Sequence, residues 1–461
     1  MTVSLRAPGR VLLISCYELG HQPLGIAWPN AFLERAGYQP DSCDLAVEPL
    51  DEAKVRRAGV VAIAVPMHTA LRLGVRAAER IRLLNHDAYI LFHGLYAHLN
   101  ADYLRQQGVD AILGGEAEGE LVALVERLEQ GTVFPPTRSP RAALERLDFP
   151  VPSRSGLPVL TRYVSLAHGG RLVPAGYVEA SRGCLHKCLH CPIPAVYGGR
   201  FFAVPRDVVL EDIRRLVAAG AAHITFGDPD FLNGPGHAVR LVRALHTEFP
   251  NVTYDCTAKI EHLLEHRALL PEFAATGCVF IVSAVESLSD VVLAHLEKGH
   301  TRADVSIALY VLRRAGIPLR PSFVPFTPWA TLGDYLELLD FVERQDLIDH
   351  VDPVQYTIRL LIPPGSLLLS RPAIWPFLRP LDSAELSYGW IHPDPRMDAL
   401  HRDERALVEA PARRRADVVA TLERVRWLAA THARREPQQR APRRPPPERP
   451  IPARLTEPWF C

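Results

Sequence analysis

The sequence predicts an α/β chain in three parts: an N-terminal doubly wound parallel sheet, a partial (β/α)6 TIM-like barrel, and a disordered Pro/Arg-rich C-terminal tail. Three observations predict this. Short apolar runs alternate with amphipathic stretches in two successive series. A Pro-rich connector, residues 135–158, separates the series. Beyond about residue 433 the composition shifts to Pro, Arg and Gln, too poor in apolar residues to build a core.

In the first series, residues 1–131, the runs 11–15, 60–65, 89–92 and 111–113 read as buried parallel strands. Residues 28–36, 71–84 and 119–129 read as the helices between or after them. An open sheet of this Rossmann or flavodoxin type holds ligands beyond the carboxyl ends of its strands, here near residues 17–25, 66–69, 93–98 and 114–118. Residues 132–170 read as a linker followed by a hairpin, in which 163–166 and 171–174 flank Gly169-Gly170.

The second series, residues 171–400, has its strands at 177–180, 223–226, 253–256, 279–284, 319–324 and 354–360. Its helix at 206–219 shows the logic: Val209, Ile213, Leu216 and Val217 share one face, and Gly220 supplies the stop. A barrel of such units carries its site at the strand C-termini. Residues 401–432 read as a C-terminal helix, and residues 433–461 as a tail ending in Cys461.

Charge and composition exclude several classes. Lys plus Arg number 52, as do Asp plus Glu, so no global field draws the chain to nucleic acid or a membrane surface. Eight irregularly spaced cysteines in 461 residues do not make a secreted disulfide framework. The apolar start at 11–14 is too short for a signal-peptide core, and no run approaches the roughly 20 apolar residues that span a bilayer. A soluble, cytoplasmic chain with no nucleic-acid or membrane partner is expected.

The chemistry concentrates in Ser181-Arg182-Gly183-Cys184-Leu185-His186-Lys187-Cys188-Leu189-His190-Cys191-Pro192, just after the first barrel strand. Spacings of three and two residues let Cys184, Cys188 and Cys191 converge on one iron–sulfur cubane. With no fourth cysteine nearby, one iron stays open to a substrate. The alternative is a closed tetrahedral zinc site completed by His186 or His190.

The three-cysteine loop resembles the signature of the radical S-adenosylmethionine (SAM) superfamily, and the similarity extends over almost the whole chain. The resemblance implies a [4Fe–4S] cluster on Cys184, Cys188 and Cys191 and SAM as the second cofactor. It further implies that the backbone of His190 faces the adenine. Gly227 and Asp228, in Phe226-Gly227-Asp228-Pro229-Asp230, stand where the family binds the SAM amino group, although its first glycine is missing. Glu286 and Ser287, ending the fourth strand, stand where a carboxylate and a hydroxyl face the ribose. Residues 362–366 stand where backbone groups meet the adenine. An external one-electron reductant of flavodoxin or ferredoxin type is implied as partner. No residue acting on the substrate is assignable. Cys256 is placed near the barrel mouth, and Cys278 reads as core packing.

The first series resembles the cobalamin-binding-like domain that precedes the barrel in many such enzymes, through Pro23-Leu24-Gly25, residues 92–98 and Gly114-Gly115-Glu116-Ala117-Glu118. Small residues there let a flat macrocycle approach the backbone. Domains that ligate cobalt through histidine carry Asp-x-His-x-x-Gly. Here His21 is followed by glycine only at Gly25, and Leu19 replaces the aspartate, so no histidine axial ligand is expected. His68, His93 and His98 read as loop histidines. A cobalamin-dependent radical methyltransferase and, at the other extreme, a non-catalytic iron–sulfur or metal protein are the alternative functions.

The tail Leu455-Thr456-Glu457-Pro458-Trp459-Phe460-Cys461 resembles a branch of the superfamily whose chains end in Cys–selenocysteine–Ala–Glu–Pro or Cys–Cys–Ala–Glu–Pro. That resemblance implies a chain read only as far as a selenocysteine codon, with Cys461 as a redox residue. The resulting expectation is an enzyme that reductively cleaves SAM to a 5′-deoxyadenosyl radical and modifies an unknown substrate.

Overall fold

A computed structural model describes residues 4–131, 142–409, 417–434 and 451–457. Strands β1 (Val11–Ser15), β2 (Asp41–Asp44), β3 (Val60–Ala64), β4 (Tyr89–His93) and β5 (Ala111–Leu113) form one parallel sheet in the order β2-β1-β3-β4-β5. The order reverses between β1 and β3, so the loops leaving these two strands diverge and open a crevice at their carboxyl ends. Both faces are covered, which is why β1 and β3 are buried along their whole length and read as unbroken apolar runs. Leu24–Arg35, His68–Leu84 and Glu118–Glu129 are the expected helices, each starting a little earlier than the periodicity indicates. The first begins early because Glu18 accepts hydrogen bonds from the backbone N–H of Leu24 (3.0 Å) and Gly25 (3.1 Å), capping donors that no Ser or Asp serves.

The second sheet has the order β13-β12-β11-β10-β7-β6-β16. Its parallel strands are β7 (Arg171–Val178), β10 (His223–Phe226), β11 (Thr253–Thr257), β12 (Cys278–Glu286) and β13 (Leu319–Phe323). β6 (Ser165–His168) pairs antiparallel with β7 across Gly169-Gly170, as the hairpin reading has it. β8 (Ser181–Gly183) and β9 (Phe201–Ala203) make a separate ribbon, and β14 (Leu378–Asp382) and β15 (Ser387–Trp390) another.

The expected sixth barrel strand at 354–360 does not form. Pro353–Tyr356 is a 3-10 turn, and only an isolated bridge, Phe326 to Arg359, marks the strand's place. The cause lies at Gln355, whose side chain accepts the Phe323 N–H at 2.9 Å and so takes a ladder donor at the end of β13. The apolar run that suggested a strand is still buried, at Tyr356 and Leu360. The C-terminal helix expected over 401–432 is described as two helices, Pro395–Glu409 and Val418–His432, packed on each other.

Part of the expected tail is ordered. β16 (Arg454–Leu455) pairs antiparallel with β6, and Thr456 extends the match by donating its N–H to the Ser165 carbonyl at 2.9 Å. Ala453 and Leu455 pack with Leu166 and Phe280, which brings this segment under the barrel interior.

Candidate active site

The cysteine loop is held between β8 and β9. Gly183 has φ of +72°, and a side chain there would strike the Arg200 carbonyl, so only glycine lets the loop turn away from β8. The Asn233 side-chain oxygen accepts the Leu185 N–H at 3.2 Å, with the Cys184 Sγ at 3.8 Å, while the Leu189 N–H reaches the Leu296 carbonyl at 3.0 Å. Burial pushes the Cys191 thiol up to about 12, and the neighbouring Cys188 and Cys184 add to it. Burial raises the Cys184 thiol as well, so these two thiols favour the protonated form until a cation takes them.

The two histidines that would complete a zinc site are engaged elsewhere. His190 Nε2 lies 3.1 Å from Glu286 Oε1. His186 has Nε2 at 3.1 Å from His262 and Nδ1 at 3.0 Å from Lys259 Nζ, in a group that continues to Asp230. Cys16, Cys43, Cys256 and Cys278 lie away from the loop, in the strands of the two sheets or just after β1. The donor set among the described residues is therefore three sulfurs, which fits a cluster with one open iron better than a closed four-ligand metal.

Glu286 ends β12 with φ of +63°, a left-handed conformation that glutamate rarely adopts. Burial alone would raise its carboxyl, but Lys298 at 3.3 Å and His190 outweigh burial and hold it down at about 2. Lys298 is itself buried and faces the thiols of Cys188 and Cys191. Asp228 accepts the Ala180 N–H at 3.0 Å and the Ser181 hydroxyl, and burial pushes its carboxyl up to about 7. Gly227 is required because the Tyr177 ring lies where a side chain would be. Ser287 does not join these groups; its hydroxyl accepts the Ser289 N–H at 3.1 Å in a local turn. In residues 362–366, the Ser366 hydroxyl abuts the Leu189 carbonyl at 3.5 Å.

Cys184, Cys188, Cys191, His190, Gly227, Asp228 and Glu286 all line one cavity of about 490 Å3. Its roof comes from the N-terminal sheet through Leu19, His21, Met67, His68, Leu95 and Tyr96, and its side wall includes Leu455 and Glu457 of the tail. Glu457 is fixed there by the Tyr17 hydroxyl, which donates to it at 2.9 Å. Cys256 faces away from the cavity, and its pKa is raised chiefly through its bond with Cys278. Cys461 lies outside the described residues.

Roof and barrel are joined by a buried ion cluster that sequence reading missed. Arg182, two residues before Cys184, reaches Glu116 (3.3 Å), Glu118 (2.7 Å) and Glu179 (2.8 Å), with its guanidinium beside Trp28 and Phe149. The alternation of Glu116 and Glu118 at a strand end was the available signal.

The profile of the Radical SAM superfamily matches residues 178–342, from the last residue of β7 through the helix after β13. The chain carries a radical SAM domain. This chain is an enzyme with that domain, and an uncharacterized methyltransferase of Pyrococcus horikoshii is 23% identical over 362 residues, covering 73% of this chain and 75% of the relative. The hopanoid C-3 methylase of Methylococcus capsulatus is 23% identical over 324 residues, 67% of this chain and 62% of that one. Among solved structures, the cobalamin-dependent SAM radical enzyme OxsB with aqua-cobalamin bound superposes with a TM-score of 0.69 at 15% identity, over 87% of this chain and 66% of OxsB. The radical SAM methyltransferase TsrM from Kitasatospora setae superposes at 0.64 and 17% identity, over 87% and 90%. These likenesses establish the two-domain fold: a parallel sheet set over a curled half-barrel.

Two roof features bear on a corrinoid. The glycines that suggested an open ledge are filled by the protein itself: side chains at Gly114 and Gly115 would meet His98 and the Ala143 backbone. His21 stacks on Tyr177 (ring centroids 4.3 Å, 12° between planes), and burial pushes it down to about 4. The His68 ring bonds the Glu385 carbonyl at 2.7 Å. Neither of these two roof histidines is presented as a metal ligand, whereas the Leu19, Met67 and Leu95 side chains offer an apolar ceiling.

Proposed function

We propose that this radical SAM enzyme holds its cluster on Cys184, Cys188 and Cys191 and acts on a substrate enclosed between the barrel and the N-terminal sheet. The observation that carries the reading is a single cavity bounded by all three thiols below a roof locked down by Arg182. Cys184, Cys188 and Cys191 would hold a [4Fe–4S] cluster which, with an external one-electron donor, would supply the electron for reductive cleavage of SAM to methionine and a 5′-deoxyadenosyl radical. The chain's own residues do the rest. Lys298 and His190 keep Glu286 ionised, ready to accept the hydroxyls of a ribose. Asp228 braces the loop at Ala180 and Ser181 and is assigned to the amino group of SAM. Roof and tail exclude water from reactive species. Anaerobic reconstitution with iron and sulfide, followed by dithionite and SAM, tests this: 5′-deoxyadenosine should accumulate, and a protein that binds iron without forming it refutes the reading.

A second reading, cobalamin-dependent methyl transfer, is favoured by the apolar ceiling and by the likeness to OxsB and TsrM. Leu19, Met67 and Leu95 would hold a corrinoid by apolar contact, without help from His21 or His68, and the group would supply a methyl carrier. A corrinoid spectrum retained through gel filtration supports this reading; its absence after reconstitution with hydroxocobalamin removes it.

We further assign a redox role to the end of the tail. Glu457 lines the cavity, and four further residues span at most about 14 Å, which keeps Cys461 within reach of it. A UGA codon following Cys461 in the gene supports a selenocysteine there, and TAA or TAG ends that part of the proposal.

A further inference from the structure

The inner face of the barrel sheet carries more polarity than its fold needs. Alternate residues point inward: Tyr177 on β7, His223 and Thr225 on β10, Asp255 on β11, Phe280 and Val282 on β12, and Arg320 on β13. Arg320 is only 9% exposed, and of its guanidinium only Nη2 has a partner, Asp352 Oδ2 at 2.9 Å. Nη1 has no hydrogen-bond acceptor among the described residues. A buried guanidinium donor left without an acceptor is costly, and natural interiors rarely leave one so. Asp255 is 2% exposed, and both its donors, His223 Nε2 and Thr225 Oγ1 at 2.7 Å each, bond Oδ1, so Oδ2 is left to the cavity.

Both groups line the same cavity as the thiols, and their neighbours on its walls are Phe280, Val282 and Ala284. None of the groups placed around the cysteine loop touches Arg320 or Asp255. Register puts them deeper: Asp255 is level with Phe280 and Arg320 with Val282, whereas Glu286 lies at the far end of β12.

We propose that Arg320 is the anion-binding residue of the substrate site, and that the substrate is a small molecule with an apolar body and an oxyanion, carboxylate or phosphate, at one end. The oxyanion accepts from Arg320, the body lies along Phe280 and Val282, and Asp255 Oδ2 receives a donor where the molecule carries one. The reactive end then faces the three cysteines. This inference rests on the radical SAM reading of the same cavity.

The test uses full-length reconstituted protein and three probes of one shape: phenylacetate, phenyl phosphate and the neutral 2-phenylethanol, with binding read by calorimetry. Wild type should bind one or both anions at least tenfold more tightly than the alcohol, and which anion wins tells carboxylate from phosphate. Arg320→Gln should abolish that preference, and Arg320→Lys should restore part of it. Circular dichroism melts establish that each variant is folded. Where Arg320→Gln does not fold, Arg320→Lys alone decides, since a smaller anion preference than wild type is then required. Equal binding of all three probes by wild type, binding of none, or an unchanged preference in a folded Arg320→Gln overturns the inference. SAM cleavage by wild type is measured alongside: its failure indicts the cluster reading, whereas intact cleavage without anion preference indicts only Arg320.

Discussion

Replacing Arg182 by methionine removes the one cation shared by Glu116, Glu118 and Glu179 while keeping most of the apolar stem. Glu116 and Glu118 are almost wholly buried, so each loses its compensating charge without gaining water. Breaking a buried pair from one side costs about 3–5 kcal/mol. The cost falls in acid. Burial pushes the Glu116 carboxyl up to about 7 even with Arg182 present, so below that pH one of the three acids is neutral and needs no partner. Urea unfolding followed by circular dichroism should therefore show a loss of about 3–5 kcal/mol at pH 8 and a clearly smaller loss at pH 6. Trp28 lies against Arg182 and donates to Glu179 at 3.0 Å, so its fluorescence should report the same event locally. A loss below about 1 kcal/mol at pH 8, or one independent of pH, would refute the claim that this cluster clamps roof to barrel.

Glu286→Gln removes the carboxylate that balances buried Lys298; SAM affinity should fall at least about tenfold with iron content unchanged, as read by equilibrium dialysis and iron assay. Burial pushes the Glu18 carboxyl up to about 8 from its usual 4.5. The folded state thus holds a proton that the unfolded chain releases, and wild-type stability drops as pH rises from 4.5 to 8. The stability of Glu18→Gln relative to wild type should grow across that window by roughly 2–4 kcal/mol; a flat difference in melts would contradict this. Removing residues 451–461 deletes β16 with its bonds to β6 and the burial of Ala453 and Leu455. It should cost roughly 1–3 kcal/mol, seen as a lower melting temperature, and a truncated protein as stable as the full chain would show that the tail is no part of the barrel.

Much of the architecture was legible because buried parallel strands are apolar on both faces, as at 11–14, 60–64 and 279–285. β2 escaped because Asp-Ser-Cys-Asp is an edge strand that makes its ladder with polar residues. The 354–360 run misled because burial alone gives a strand-like pattern, and the decisive fact, Gln355 capturing the Phe323 N–H, is tertiary. The tail was legible in part, since the sequence sets its last seven residues apart from the solvated stretch and the pairing of Arg454–Leu455 falls at that boundary. Composition argues for a solvated segment, yet two β residues suffice once β6 offers a free edge. At the site, the spacing of three cysteines and the strand-end carboxylates Asp228 and Glu286 could be read directly, because each follows a strand into the same mouth. Ser287 could not be told from its neighbour, since which of two adjacent residues faces a cavity depends on a backbone twist, here the left-handed Glu286. Arg320 carried no sequence signal of its role; only burial with an unmatched donor distinguishes it.

The central claim is that Cys184, Cys188 and Cys191 hold the cluster that cleaves SAM. It is tested most directly by comparing 5′-deoxyadenosine formation in reconstituted wild type and Cys188→Ala under dithionite. Wild type should form it and Cys188→Ala should form none, with the cluster's visible absorbance lost together with activity. Formation of 5′-deoxyadenosine by Cys188→Ala would contradict the account.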